Sequence, residues 1–248
     1  MNFLQAVADV LLPRICIVCE RRLNVSEEHI CLHCRTDMPL TYFWDRDHNE
    51  MADKYNRLIE SGSEFNLIGG RLERYAYAMA LFFYDGSGHY RKITQQLKYH
   101  ANLSLGRDFG KMLGLKIRCA RHLADVDVVI PVPLHWMRRW ERGYNQAEVI
   151  AAEVAKVLDV DLRTDVLRRC KRTRTQTKVD PKKKFENVRG AFVARRSYIQ
   201  NDGYRHVLIV DDVFTSGATL HNCFLALRAV LPVSVRISVA TLAYVGGA

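Results

Sequence analysis

Apolar positions along the chain fall into two kinds of run. The first is short and continuous. Val207-Leu208-Ile209-Val210 reads as a strand buried on both faces, and Tyr75–Tyr84 and Val126–Pro133 read as two more strands. The second kind recurs every three or four positions. Ala147, Ile150, Ala151, Val154 and Leu158 share one helix face, as do Leu220, Phe224, Leu227 and Val230. Helices are also expected over His89–Tyr99 and Arg107–Arg118, and an amphipathic one over residues 2–12, closed by Pro13. Strands followed by helices predict an α/β fold, a parallel sheet with helices packed on it. Residues 41–74 carry little pattern; Tyr42, Phe43 and Trp44 are expected to pack an amino-terminal module onto the body.

The strand 207–210 leads into unusual chemistry. Asp211 and Asp212 stand where the strand should end, then Phe214 and Thr215-Ser216-Gly217-Ala218-Thr219 open a helix. Gly217 and Ala218 let backbone N–H groups approach an anion, Thr215, Ser216 and Thr219 add hydroxyls, and the helix presents its positive end. Two carboxylates repel a phosphate but suit sugar hydroxyls or a magnesium ion. Phosphate donors beside two acids fit a sugar phosphate. A nucleotide P-loop would need Gly-Lys-Ser/Thr here. The stretch resembles the phosphoribosyl-pyrophosphate signature of type I phosphoribosyltransferases. That resemblance makes Asp211 and Asp212 the ribose-binding, catalytic pair and Thr215–Thr219 the phosphate loop.

Pro131 to Gln146 forms a second long strand-to-helix loop at a strand's carboxyl end, where ligands bind in open α/β sheets. Arg138, Arg139 and Arg142 bring cations there. Arg142-Gly143-Tyr144 resembles the loop that grips pyrophosphate in those enzymes. His135 is read as structural rather than as a proton carrier.

Cys16-x-x-Cys19 and Cys31-x-x-Cys34 stand eleven residues apart. Two such knuckles suit one tetrahedral zinc ion, closed and therefore structural. A module of this size needs such a staple to fold. Cys119, Cys170 and Cys223 are isolated thiols without an assigned role.

The formal net charge is +10, and +8 of it lies between Arg168 and Lys184, with nine Lys/Arg against one Asp. So much charge of one sign cannot join a core. It predicts an exposed arm for pyrophosphate or a nucleic-acid backbone, with Arg172, Arg174, Gln176, Lys182, Lys183 and Lys184 as its contacts. Trp136, Trp140 and Phe214 are candidates for stacking on bases, though core packing is the commoner use of aromatic residues. No run of the length of a membrane span occurs, and no secretory signal is read at the start. A soluble, cytoplasmic protein is expected.

Taken together, the cysteine pairs, Pro131-Val132-Pro133-Leu134, Arg142-Gly143-Tyr144-Asn145-Gln146-Ala147, Thr173-x-x-Gln176, Asn187-x-x-Gly190-Ala191-Phe192 and the Asp211–Thr219 loop resemble the ComF family in content and order. Where that family often has Arg, this chain has Lys184, which keeps the charge but loses the bidentate fork. The resemblance implies a zinc ribbon (residues 1–45) before a type I phosphoribosyltransferase-like domain (46–248). It also implies structural zinc, magnesium with phosphoribosyl pyrophosphate, a link to natural transformation and competence proteins, and handling of single-stranded DNA. Two functions stay open: pentosyl transfer, or nucleic-acid binding with the sugar-phosphate pocket kept as a regulatory or relict site. A nucleotide-salvage enzyme is the third, without a defensible base-recognition segment.

Overall fold

The computed structural model describes residues 13–61, 73–84, 88–170, 190–196, 199 and 203–246. The expected helix over residues 2–12 and the basic contacts Arg172 to Lys184 lie outside them. The elements run α1 (Leu32–Thr36), α2 (Glu50–Ser61), β1 (Ala78–Phe83), α3 (Arg91–Tyr99), α4 (Leu103–Cys119), β2 (Val128–Pro131), α5 (Trp136–Arg142), α6 (Gln146–Leu158), β3 (Asp161–Leu162), β4 (Leu167–Arg169), β5 (Phe192–Ala194), β6 (His206–Phe214), α7 (Ala218–Arg228) and β7 (Arg236–Tyr244).

Five strands form one sheet in the order β1-β7-β6-β2-β3, and every pairing is parallel. β6 lies at its centre, with Val207 beside Val128 on one side and Ile237 on the other. Its apolar run is buried because both faces are covered. The expected strands 75–84 and 126–133 are observed as the shorter β1 and β2. β7 and α2 have no counterpart in the sequence reading. α2 had a readable signal, because Met51, Tyr55 and Ile59 recur every four residues and all three are buried. Asn49 caps it by accepting from the Ala52 amide at 2.9 Å.

The helices fall into packed pairs flanking the sheet. α4 lies along α6, and the approach is close: a Cβ on Gly110 would sit 2.9 Å from the Ile150 carbonyl oxygen. α2 meets α7 through Tyr55, whose hydroxyl donates to the Leu220 carbonyl at 3.3 Å and whose ring packs edge-on against Phe214 and Phe224.

One correction concerns β6. Its pairing with β7 continues through Asp211↔Thr241 to Phe214↔Tyr244, so the acid pair lies inside the strand and not after it. A second, two-stranded antiparallel ribbon joins β4 to β5. The Cys170 amide donates to the Ala191 carbonyl at 2.8 Å, so the basic segment 171–189 leaves and returns at one point.

The cysteine module shares the core. Phe43 and Trp44 are buried, as expected, with Phe43 edge-on to Phe83 and Tyr244. Tyr42, by contrast, is exposed.

Candidate sugar-phosphate site

The winding of the chain makes the site. From β2 the chain crosses through α6 outward to β3; from β6 it crosses through α7 the other way, to β7. The loops after β2 and β6 therefore part company at neighbouring strand ends. In open α/β sheets that divergence leaves the crevice in which ligands bind.

The β6 side of the crevice holds Asp211, partly exposed, and Asp212, 8% exposed. Asp211 Oδ1 accepts from the Asp212 amide at 2.8 Å. Burial, and next the like charge of Asp212, push Asp211 up to about 8. Asp212 Oδ2 lies 2.9 Å from Lys98 Nζ. Burial works against the Lys98 ammonium, but attraction to Asp212 outweighs it and holds the amine above its ordinary value. Reading the sequence, nothing marks Lys98 as more than a surface cation near the end of α3. The fold turns that end toward the acid pair.

Beyond the acids, Gly217 adopts φ +80 and caps the start of α7. A Cβ there would meet Leu58 Cδ1 and Phe214 Cζ at 2.7 Å, so glycine is needed for both conformation and space. Lys54 donates to the Thr215 carbonyl at 3.0 Å, and Ser216 Oγ accepts from the Ala218 amide at 3.5 Å. Among the described residues, the amides of Thr215, Ser216 and Gly217 donate to no other group. These amides belong to the stretch 215–219 in which an anion cradle is expected, and they leave donors free for one. Phe214 is buried and serves the core, not a base.

On the β2 side, α5 ends at Gly143 in the left-handed conformation, φ +76. The Arg142 guanidinium lies 5.7 Å from the Tyr99 ring, and its charge is felt at both Lys98 and Tyr144. The Tyr144 hydroxyl donates to the Leu97 carbonyl, tying this loop to α3. Arg169, at the root of the basic segment, lies over the Phe192 ring and feels repulsion from Arg138 and attraction from Asp211. His135 is buried and accepts from the Met137 amide at 3.3 Å, the structural role expected. The tryptophans differ from expectation. α5 buries none of its residues, and Trp136 and Trp140 are 68% and 86% exposed.

The four cysteines of the module are free, and their sulfurs lie within 4.8 Å of one another. Cys19 and Cys31 sulfurs are 3.7 Å apart, against about 3.8 Å for two thiolates on a tetrahedral zinc ion. The Cys31 amide donates to the Cys16 sulfur at 3.3 Å and the Cys34 amide to the Cys31 sulfur at 3.5 Å, as thiolates holding a metal require. The donor set fits a metal ion and is closed. The far side of the module meets α3: Lys92 pairs with Glu20 at 2.7 Å, and Tyr90 donates to the Cys34 carbonyl at 2.8 Å.

A parallel sheet flanked by helices, with an acid pair and a tight glycine turn at its switch point, is a phosphoribosyltransferase-like fold, and residues 145–246 match the family model "Phosphoribosyl transferase domain". The chain is similar to Competence protein F of Haemophilus influenzae, at 27% identity over 216 residues, covering 80% of this chain and 90% of that protein. It is also similar to DNA utilization protein YhgH of Escherichia coli O157:H7 and of Shigella flexneri, each 29% identical over 131 residues. Those matches span 52% of this chain and 56% of theirs. The resemblance to the ComF family is borne out. Among the described residues, no helix is long and apolar enough to cross a membrane.

Proposed function

We propose that the chain binds phosphoribosyl pyrophosphate at the carboxyl end of β6 and serves the handling of DNA taken up by the cell. The observation that carries the first part is the juxtaposition of Asp211 and Asp212 with the unbonded amides of residues 215–217 at the start of α7. The acids accept the ribose hydroxyls. Thr215, Ser216, Gly217, Ala218 and Thr219 hold the 5′-phosphate. Arg142, Gly143 and Tyr144 hold the pyrophosphate together with the arm of Arg172, Arg174, Gln176, Lys182, Lys183 and Lys184, and Arg169 at its root adds a cation. In pentosyl transfer the bond from C1 to pyrophosphate breaks as the acceptor bonds to C1. Positive charge builds on the sugar, as in glycoside hydrolysis. Fixed charges around the crevice stabilise both the sugar and the departing anion. Cys16, Cys19, Cys31 and Cys34 would hold a zinc ion that staples the module, and magnesium would arrive with the pyrophosphate and neutralise part of its charge.

The second part rests on the names of the relatives, which concern competence and DNA utilization. One observation favours direct contact with single-stranded DNA: Trp136 and Trp140 stand one helical turn apart on α5, exposed, among Arg138, Arg139 and Arg142. Stacking on aromatic side chains is worth about 1–3 kcal/mol per base.

Calorimetry with phosphoribosyl pyrophosphate tests the pocket, and Asp211→Asn with Asp212→Asn abolishes the heat of binding. Unchanged binding in that variant ends the reading. Pyrophosphate release against acceptors, oligothymidine among them, then separates an enzyme from a binding module.

A further inference from the structure

Magnesium prefers six oxygen ligands in an octahedron at about 2.0–2.1 Å. The acid pair offers a poor start. Asp212 Oδ2 is taken by Lys98 at 2.9 Å, and Asp211 Oδ1 by the Asp212 amide at 2.8 Å. Among the described residues, three or more metal-ligating side chains gather at the four cysteines and at Glu28, His29 and Asp108, not here. Among the described residues, the other charges felt here are positive: Arg142, Arg169 and, behind it, Arg138. The charge balance agrees. Burial and the neighbouring carboxylate hold Asp211 above the usual carboxylate range, and the Lys98 ammonium sits against Asp212. A divalent ion on these carboxylates must displace the Lys98 ammonium, and would face two guanidinium groups.

We propose that Lys98 is the resident counter-ion of the acid pair, and that a pentose phosphate binds against Asp211 and Asp212 without a divalent cation. The lysine orients Asp212 so that its other oxygen faces the sugar hydroxyls, and it fills the place a metal would need. Lys98 is a positioning residue here, acting through Asp212. The inference rests on the sugar-phosphate reading of the crevice and fixes the chemistry of its acidic half. It leaves magnesium to the pyrophosphate alone.

Ribose 5-phosphate is the probe, because it lacks the pyrophosphate that would carry magnesium of its own. Calorimetry is run on the full chain in buffer freed of magnesium by a resin, so that metal at the cysteines is untouched, and again with magnesium added. The wild type should bind equally in both, within roughly twofold, while Lys98→Met loses about tenfold and Lys98→Arg keeps most of the affinity. Thermal unfolding of both variants checks that each is folded. Wild-type binding that requires magnesium overturns the proposal and leaves the pocket standing, as does a folded Lys98→Met that binds like the wild type. No binding by the wild type in either buffer overturns the pocket itself, and the proposal with it.

Discussion

At its amino end β6 opens with His206, fully buried, whose Nδ1 lies 2.6 Å from Asp125 Oδ1 and whose Nε2 lies 2.8 Å from Ser238 Oγ. At its carboxyl end the same strand carries Asp211 and Asp212 with Lys98 at 2.9 Å. By distances alone the first site is the better catalyst, because aspartate, histidine and serine stand in hydrogen-bonded sequence. Yet Ser238 is wholly buried and its Oγ already accepts from the Tyr77 amide at 3.1 Å. A nucleophile that no substrate can reach is a strut. It ties the start of β6 to β7 and to the segment before β1. The other end has weaker internal bonding, an unbonded row of amides and a crevice before it. Access and unspent hydrogen-bonding capacity separate a site from a strut; the kinds of side chain do not.

The contrast can be broken in four places. His206→Ala leaves Asp125 and Ser238 without their partner and opens a cavity, so chemical denaturation should show a loss of about 3 kcal/mol. Affinity for ribose 5-phosphate should be unmoved; a parallel fall in affinity would mean that the two ends are not separate. Gly217→Ala forces a Cβ against Leu58 and Phe214 at positive φ and should cost about 2 kcal/mol, with phosphate affinity lost as well. A variant as stable as the wild type would show that the cradle is loose.

Asp212→Asn removes a charged acceptor at the crevice and should weaken ribose 5-phosphate binding by about tenfold, or 1.4 kcal/mol. Its stability should fall by about 1–2 kcal/mol, because Lys98 loses the partner of a largely buried ion pair. The smallest effect is in pH. Asp211 is raised in the fold, so the unfolded chain binds fewer protons than the native one between the ordinary carboxylate range and about 8, and stability falls as pH rises through that window. His206 is lowered by burial, despite Asp125. Asp125 is lowered because His206 and Arg236 outweigh its burial. Both therefore cost stability as pH falls. Unfolding followed from pH 5 to 9 should show a decline on the alkaline side that Asp211→Asn flattens and His206→Ala leaves in place.

Much of the carboxyl end was legible. Val207–Val210, the acid pair and Gly217 are contiguous, and local chemistry says what contiguous residues can do together. Lys98 was not, because it stands 114 positions from Asp212 and meets it only through the crossing of α3. β7 hid behind Ser238 and Thr241, polar residues at fully buried positions. Each is satisfied by a hydrogen bond, to His206 and to the Ala243 carbonyl, that the sequence does not display. Trp136 and Trp140 ran against the expectation that large aromatic residues go inside, since α5 has no face against the core.

The opposed directions in which the chain leaves β2 and β6 have a consequence for change over time. The hollow between them comes from the route of the backbone, so no buried side chain was sacrificed to carve it. Its walls are two connecting segments, which can be lengthened or recoloured without disturbing the interior beneath. A chain built this way can change what its crevice receives while keeping the sheet beneath unaltered.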